Sequence, residues 1–203
     1  AMKYCFPIFF LSLCLRLAGQ TNPDLSNIID SLKTEDQFYR NQAREIQNSS
    51  PNDSLAIQMA YANMRQVDSL VQIAAKEIFY QYGFPGEDRV GATSCHNYWL
   101  LVQHCDTDPS FQEQVLTAML VEVKKGNASG RDYAYLLDRL RVNTNQKQVY
   151  GTQMRLNADS TSFMPQPLLD PEQVNERRRA VGLGKIEYYI QTMNERYFGA
   201  LQG

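Results

Sequence analysis

The sequence predicts a mainly α fold: one domain, a bundle of about six to seven helices, with a small β-hairpin before the last two helices. Three observations carry this. Apolar residues recur at three- and four-residue spacing over most of the chain. Proline, glycine and short polar clusters punctuate it at helix-length intervals. Only the stretch from Gln148 to Leu156 alternates with a period of two, ahead of a turn from which Thr161 to Leu168 can return as a second strand.

The elements follow in order. Leu25, Ile28, Ile29 and Leu32 begin a helical stripe that continues through Phe38 to Ile46, and the turn-rich run Asn48 to Ser54 ends it. Ile57, Ala60, Tyr61, Met64, Val67, Val71, Ala74 and Ile78 line one face of a long second helix, which Gly83, Pro85 and Gly86 stop. The third runs from about Val90 to His104. Its centre, Trp99-Leu100-Leu101-Val102, is apolar nearly all round, which marks the central buried helix. Asp108-Pro109 supplies an N-cap and an N1 proline for a fourth helix, which ends at Lys124-Lys125-Gly126. Tyr133, Leu136, Leu137 and Leu140 stripe a fifth. Gln148 to Leu156 and Thr161 to Leu168 read as two strands around the turn Asn157-Ala158-Asp159-Ser160. Asp170-Pro171 repeats the cap-proline pattern, Gly182 closes that helix, and Ile186, Tyr189, Ile190, Met193 and Tyr197 define the last.

Ahead of the domain, Lys3 precedes an apolar run from Tyr4 to Leu15 with small residues at Ala18-Gly19. A run of roughly 12 residues is too short for a spanning helix, which needs about 20. The pattern is that of a secretory signal peptide over residues 1–19, with cleavage after Gly19, a domain at 20–203, and a periplasmic or secreted product. Leu11-Ser12-Leu13-Cys14 offers lipidation at Cys14 as a weaker alternative, because Leu13 stands where a lipobox needs a small residue.

Loss of Lys3 and Arg16 shifts the net charge from −2 to −4. With no long basic stripe, nucleic acid is a poor partner. Cys95 and Cys105 remain after the leader. On one helix they stand about 15 Å apart, whereas bridged Cα atoms lie within about 7 Å, so they should be two separate buried thiols.

The densest run of unusual pairings lies between Tyr82 and Gln153. Gly83-Phe84-Pro85-Gly86 leads to Trp99-Leu100-Leu101-Val102-Gln103-His104, then to Asp138-Arg139 and Tyr150-Gly151-Thr152-Gln153. This order resembles an uncharacterised family of bacterial domains of unknown function, marked by G-x-P-G, W-L-L-V-Q-H, D-R and Y-G-T-Q. The resemblance runs from about Asp36 to Tyr189 and implies a fold but no activity. Phe84 and the two cysteines depart from the pattern as packing variants.

His104 is the first candidate for chemistry. Thr93, Asn97 and His104 share one helix face, and such a polar stripe on an apolar helix marks either a wet cleft or an internal network. His104 also ends its helix, where it can act as a cap or as a general acid or base. His96 is about 12 Å away along the axis, too far to share a metal, and no metal or cofactor is implied. Asp138 and Arg139 lie off the leucine stripe, with Asp132, Tyr135 and Arg139 along one edge. Val174, Arg178 and Val181 share a side, which turns Arg178 inward and calls for a carboxylate from Asp138 or Asp132, Asp138 first. Arg177 and Arg179 would then face water or ring an anionic ligand. Gln148, Tyr150 and Gln153 offer uncharged donors and acceptors on a strand edge, as packing or as a binding edge, and Gly151 allows a bulge or a close approach.

The sequence contains no G-x-S-x-G, P-loop, H-E-x-x-H or C-x-x-C. The leading expectation is therefore an exported, non-catalytic module binding a small polar ligand or a protein partner through His104, Asp138, Arg139, Gln148, Tyr150, Gln153 and Arg178. The alternative is a hydrolase or transferase with His104 as base and Arg139 or Arg178 holding an anion.

Overall fold

A computed structural model describes residues 22–199. The expected leader and Cys14 lie outside the described residues. Within them the chain forms α1 (Pro23–Ser49), α2 (Ser54–Tyr82), α3 (Glu87–Gln103), α4 (Pro109–Lys124) and α5 (Gly130–Asn143). Then come β1 (Met154–Leu156), β2 (Phe163–Pro165), a 3-10 turn (Pro171–Gln173), α6 (Val174–Ala180) and α7 (Ile186–Phe198). This is the mainly α domain with a small antiparallel hairpin that the periodicity predicts.

Local chemistry sets most of the boundaries. The side chains of Asn22, Asp53, Asp108 and Ser129 accept from the backbone N–H groups of Leu25, Ala56, Phe111 and Asp132, which would otherwise be unpaired at the helix starts. Pro23 and Pro109 occupy first-turn positions where a missing N–H costs nothing. Gly83 ends α2 at φ 72°, a value that side chains with a Cβ rarely adopt. Gly86 is needed for space instead. A Cβ there would lie 2.1 Å from the Asn127 side-chain nitrogen, which bridges Asp88 and Glu122.

α3 is the centre of the bundle and touches α1, α2, α4 and α5. Tyr98, Leu101 and Val102 are fully buried, and Trp99 nearly so. The Tyr98 hydroxyl donates to the Ala75 carbonyl at 2.9 Å, so this large aromatic is buried without an unpaired hydroxyl. At the far end of α3, the Gln112 amide donates to the carbonyls of Val102 (3.1 Å) and Gln103 (3.4 Å). α4 thus ties the Gln112 side chain to the last carbonyls of α3, next to His104.

Two local expectations are corrected. The hairpin pairs only Met154 to Leu156 with Phe163 to Pro165, so Tyr150 to Gln153 precede the strand. That loop does not join the ladder because the N–H groups of Tyr150 and Thr152 turn onto the Asp138 carboxylate and that of Gln153 onto the Gln148 side chain. Asp170 does not cap a helix through its side chain. It sits at φ 39°, and the chain enters α6 through the 3-10 turn.

Candidate functional site

The polar face of α3 meets α1. Asn97 donates to Asp30 at 2.9 Å, and His104 Nδ1 lies 2.9 Å from Asp36 Oδ1. The stripe that the sequence marks on α3 is therefore an interhelical network. Its partner on α1 continues the stripe of Leu25, Ile29 and Leu32, with Asp36 where an apolar residue is expected.

Around Asp36 the network widens. Arg40, one turn further on, places Nε 3.0 Å from Asp36 Oδ1 and 3.0 Å from His104 Nδ1. Its outer nitrogen pairs with Asp68 of α2. Gln37 donates to the other oxygen of Asp36 at 2.7 Å. An unprotonated Nδ1 accepts from Arg40, whereas a protonated one donates to Asp36, so the tautomer of His104 decides how Arg40 is held. Burial opposes the charge of Asp36, but the hydrogen bond and charge of His104, with the Arg40 guanidinium, outweigh it and hold the carboxyl below its usual range. For Asp68 burial wins. Arg40 pulls the other way, nearby Asp36 adds to the burial effect, and the carboxyl is pushed up.

The Asp36 side chain is fully buried, while those of His104, Arg40 and Asp68 are 14%, 20% and 25% exposed. The cluster thus opens to solvent at one edge. Next to it, Arg139 grips Asp106 with two bonds, at 2.8 and 2.5 Å, and Asn143 adds a third at 2.9 Å. Arg139 is therefore an ion-paired brace between α5 and the turn after α3.

The remaining residues proposed from sequence form a separate, internal clamp. Asp138, fully buried, accepts from the N–H groups of Val149 (2.7 Å), Tyr150 (3.0 Å) and Thr152 (3.0 Å) and from the Thr152 hydroxyl (3.0 Å). Arg178 turns inward and is 2% exposed, yet its guanidinium pairs with no carboxylate among the described residues. It donates to the carbonyls of Gly184 (2.6 Å), Tyr150 (2.7 Å) and Gly151 (3.3 Å) and lies over the Tyr189 ring. The expected Asp138–Arg178 ion pair is thus replaced by a loop held between them, its N–H groups on the carboxylate and its carbonyls on the guanidinium. Arg177 does not simply face water either. It donates to the carbonyls of Val149, Leu169 and Asp170. Gln148, fully buried, donates to the carbonyls of Gln153 and Gln166 and accepts from the Gln153 N–H. Gly151 fits because a Cβ there would stand 2.4 Å from Ile186 Cδ1. Tyr150 enters this clamp through its backbone, and Gln153 through its backbone and through its side-chain amide, which donates to the Thr152 hydroxyl at 3.0 Å; neither bonds to His104.

Cys95 and Cys105 are free and buried, and burial pushes both thiols up to about 12. Neither is a ready nucleophile. Among the described residues no three His, Cys, Asp or Glu side chains converge to hold a metal. In the His104 cluster the guanidinium of Arg40 already fills the place between the carboxylates that a cation would take. No helix of the described residues is long and apolar enough to cross a membrane.

A family model matches residues 23–201, from the start of α1 to beyond α7. The chain belongs to DUF6624, a family of unknown function. No curated protein and no solved structure matches it. Membership agrees with the resemblance drawn from the motifs and adds no substrate. Two residues at the centre of the cluster, Asp36 and Arg40, escape a motif search. The signal that finds them is an acid on the buried stripe of α1 followed by an arginine at i+4.

Proposed function

We propose that this DUF6624 domain is a non-catalytic binding module, exported after loss of its leader, and that it takes a small polar ligand at the His104–Arg40–Asp68 edge. The observation that supports this is the partial exposure of those three side chains over the fully buried Asp36. That edge leaves side chains of α1, α2 and the end of α3 within reach of one molecule in solvent. The neighbourhood also selects by charge. Asp36, Asp68 and Asp106 face two arginines, Arg40 and Arg139, and both arginines are already ion-paired. An uncharged or cationic polar ligand fits this balance and an anion does not. Polar and charged side chains of a partner protein would be met by the same chemistry.

Thermal-shift titration with glucosamine, spermidine and glucose 6-phosphate tests the reading. A melting temperature raised by either cation, unmoved by the phosphate, and no longer raised in Asp68→Asn is the expected result. Equal shifts in wild type and Asp68→Asn, or stabilisation by the phosphate alone, would contradict it.

A second reading has one observation in its favour. His104 Nδ1 lies 2.9 Å from a buried carboxylate, the arrangement that orients a general base in hydrolases. It stands second because the arginines it needs for an anionic group, Arg139 and Arg178, are engaged with Asp106 and with backbone carbonyls. Hydrolysis of p-nitrophenyl esters that disappears in His104→Ala would raise it to first.

A further inference from the structure

We propose that the cleft between α3 and α5 is a separate ligand site, and that it takes a small zwitterionic amine of the amino-acid type. The cleft measures about 480 Å³ and is lined by Glu87, His96, Trp99, Arg131, Asp132 and Tyr135, among others. That volume lies in the range of sites for small molecules, roughly 300–1,000 Å³.

Opposite charges line this cleft without neutralising each other. Glu87 belongs to the first turn of α3 and Arg131 to the first turn of α5. Neither makes an ion pair among the described residues, in contrast to Arg40 and Arg139, whose charges are fully matched. Between them stands an organised imidazole. His96 Nδ1 is held by Asp132 at 2.8 Å, which leaves Nε2 for another partner. The ring is stacked on Trp99 with centroids 4.9 Å apart. Its side chain is 53% exposed, so the free nitrogen is within reach of solvent. Trp99 is a nearly buried wall, and its Nε1–H has no acceptor, an uncommon state for a buried indole.

The chemistry of the ligand follows from these groups. A carboxylate suits Arg131, whose guanidinium fork matches its two oxygens, while His96, with Nδ1–H turned to Asp132, offers Nε2 as an acceptor for the ammonium. An ammonium suits Glu87. An apolar side chain lies against the ring of Tyr135 and the indole wall. A simple amine would leave Arg131 unmatched and a simple acid would leave Glu87 unmatched, so both charges are needed together. This site does not rest on the reading of the His104 edge, and either can fail alone.

Trp99 is the only tryptophan in the chain, so intrinsic fluorescence reports on this cleft. The full chain is titrated with L-leucine, L-methionine and L-glutamine, and with 3-methylbutylamine and 4-methylpentanoate as single-charge controls. We expect a saturable fluorescence change with at least one amino acid and affinity for both controls weaker by about tenfold or more, the effect of losing one charge-assisted hydrogen bond. Arg131→Gln and Glu87→Gln should each weaken amino-acid binding by about tenfold as well, with unchanged melting temperatures. Asp68→Asn should leave it untouched. No saturable response to any amino acid, with no heat in calorimetry, would overturn the proposal. So would equal binding of either control, or full binding retained in both cleft variants.

Discussion

Replacing Asp138 with alanine would remove the acceptor shared by three backbone N–H groups and one hydroxyl. Each buried donor left without a partner costs about 1–3 kcal/mol. The four do not contribute equally. Thr152 is buried, so its N–H has no route to water, whereas Val149 and Tyr150 are only half-buried and can recover part of the loss. The Thr152 hydroxyl can rotate. The variant also removes a negative charge that supports the buried Arg178 guanidinium, whose charge burial already disfavours. Together these effects amount to about 3–5 kcal/mol, the scale of breaking a buried charged network. For a domain of this size that corresponds to a fall of roughly 6–20 °C in melting temperature. Urea denaturation followed by circular dichroism would measure it. A loss below about 1 kcal/mol would refute the clamp, because it would mean that the loop finds other acceptors without cost.

Four further outcomes are expected. Gly151→Ala should cost at least about 2 kcal/mol in the same denaturation assay, since its φ of 70° is strained for alanine and the added methyl meets Ile186 Cδ1. Arg177→Ala should destabilise by about 1–2 kcal/mol, through three carbonyls left without their donor, and Arg179→Ala by less than about 0.5 kcal/mol. Asp36 titrates below its ordinary range in the fold, so its stabilising contribution is present above the unfolded value of about 3.9 and is lost as pH falls through the folded value. Asp36→Asn should therefore flatten the acid limb of a stability–pH curve. Thiol labelling at pH 8 should leave Cys95 and Cys105 unmodified in the folded domain and reach both in urea, given thiols raised to about 12.

Helices were legible wherever the chain states its own boundaries. Asp108-Pro109 and Lys124-Lys125-Gly126 bracket α4, and the apolar centre at Trp99 to Val102 identifies the buried helix. The inward turn of Arg178 was legible from its spacing between Val174 and Val181. Its partners were not, because backbone carbonyls leave no mark in a sequence, whereas the aspartates of α5 do. For the same reason Tyr150 to Gln153 reads as a strand. The alternation is present, but Asp138 takes the N–H groups that a ladder would use, and that contact spans at least 11 residues. His104 could be singled out from its helix face alone. Asp36, Arg40 and Asp68 lie 68, 64 and 36 residues from His104 and on two other helices, and only the packing of α1 and α2 against α3 brings them to His104.

The central claim is that the His104–Arg40–Asp68 edge binds a neutral or cationic polar ligand. Soaking crystals of the domain in sugars, amino sugars, cell-wall fragments and nucleotides tests it most directly. The account predicts density for a neutral or amine-bearing molecule in contact with Asp68 and His104, and none for a nucleotide there. A nucleotide phosphate seated on Arg40 or Arg139, or an edge left empty by every soak, would contradict it.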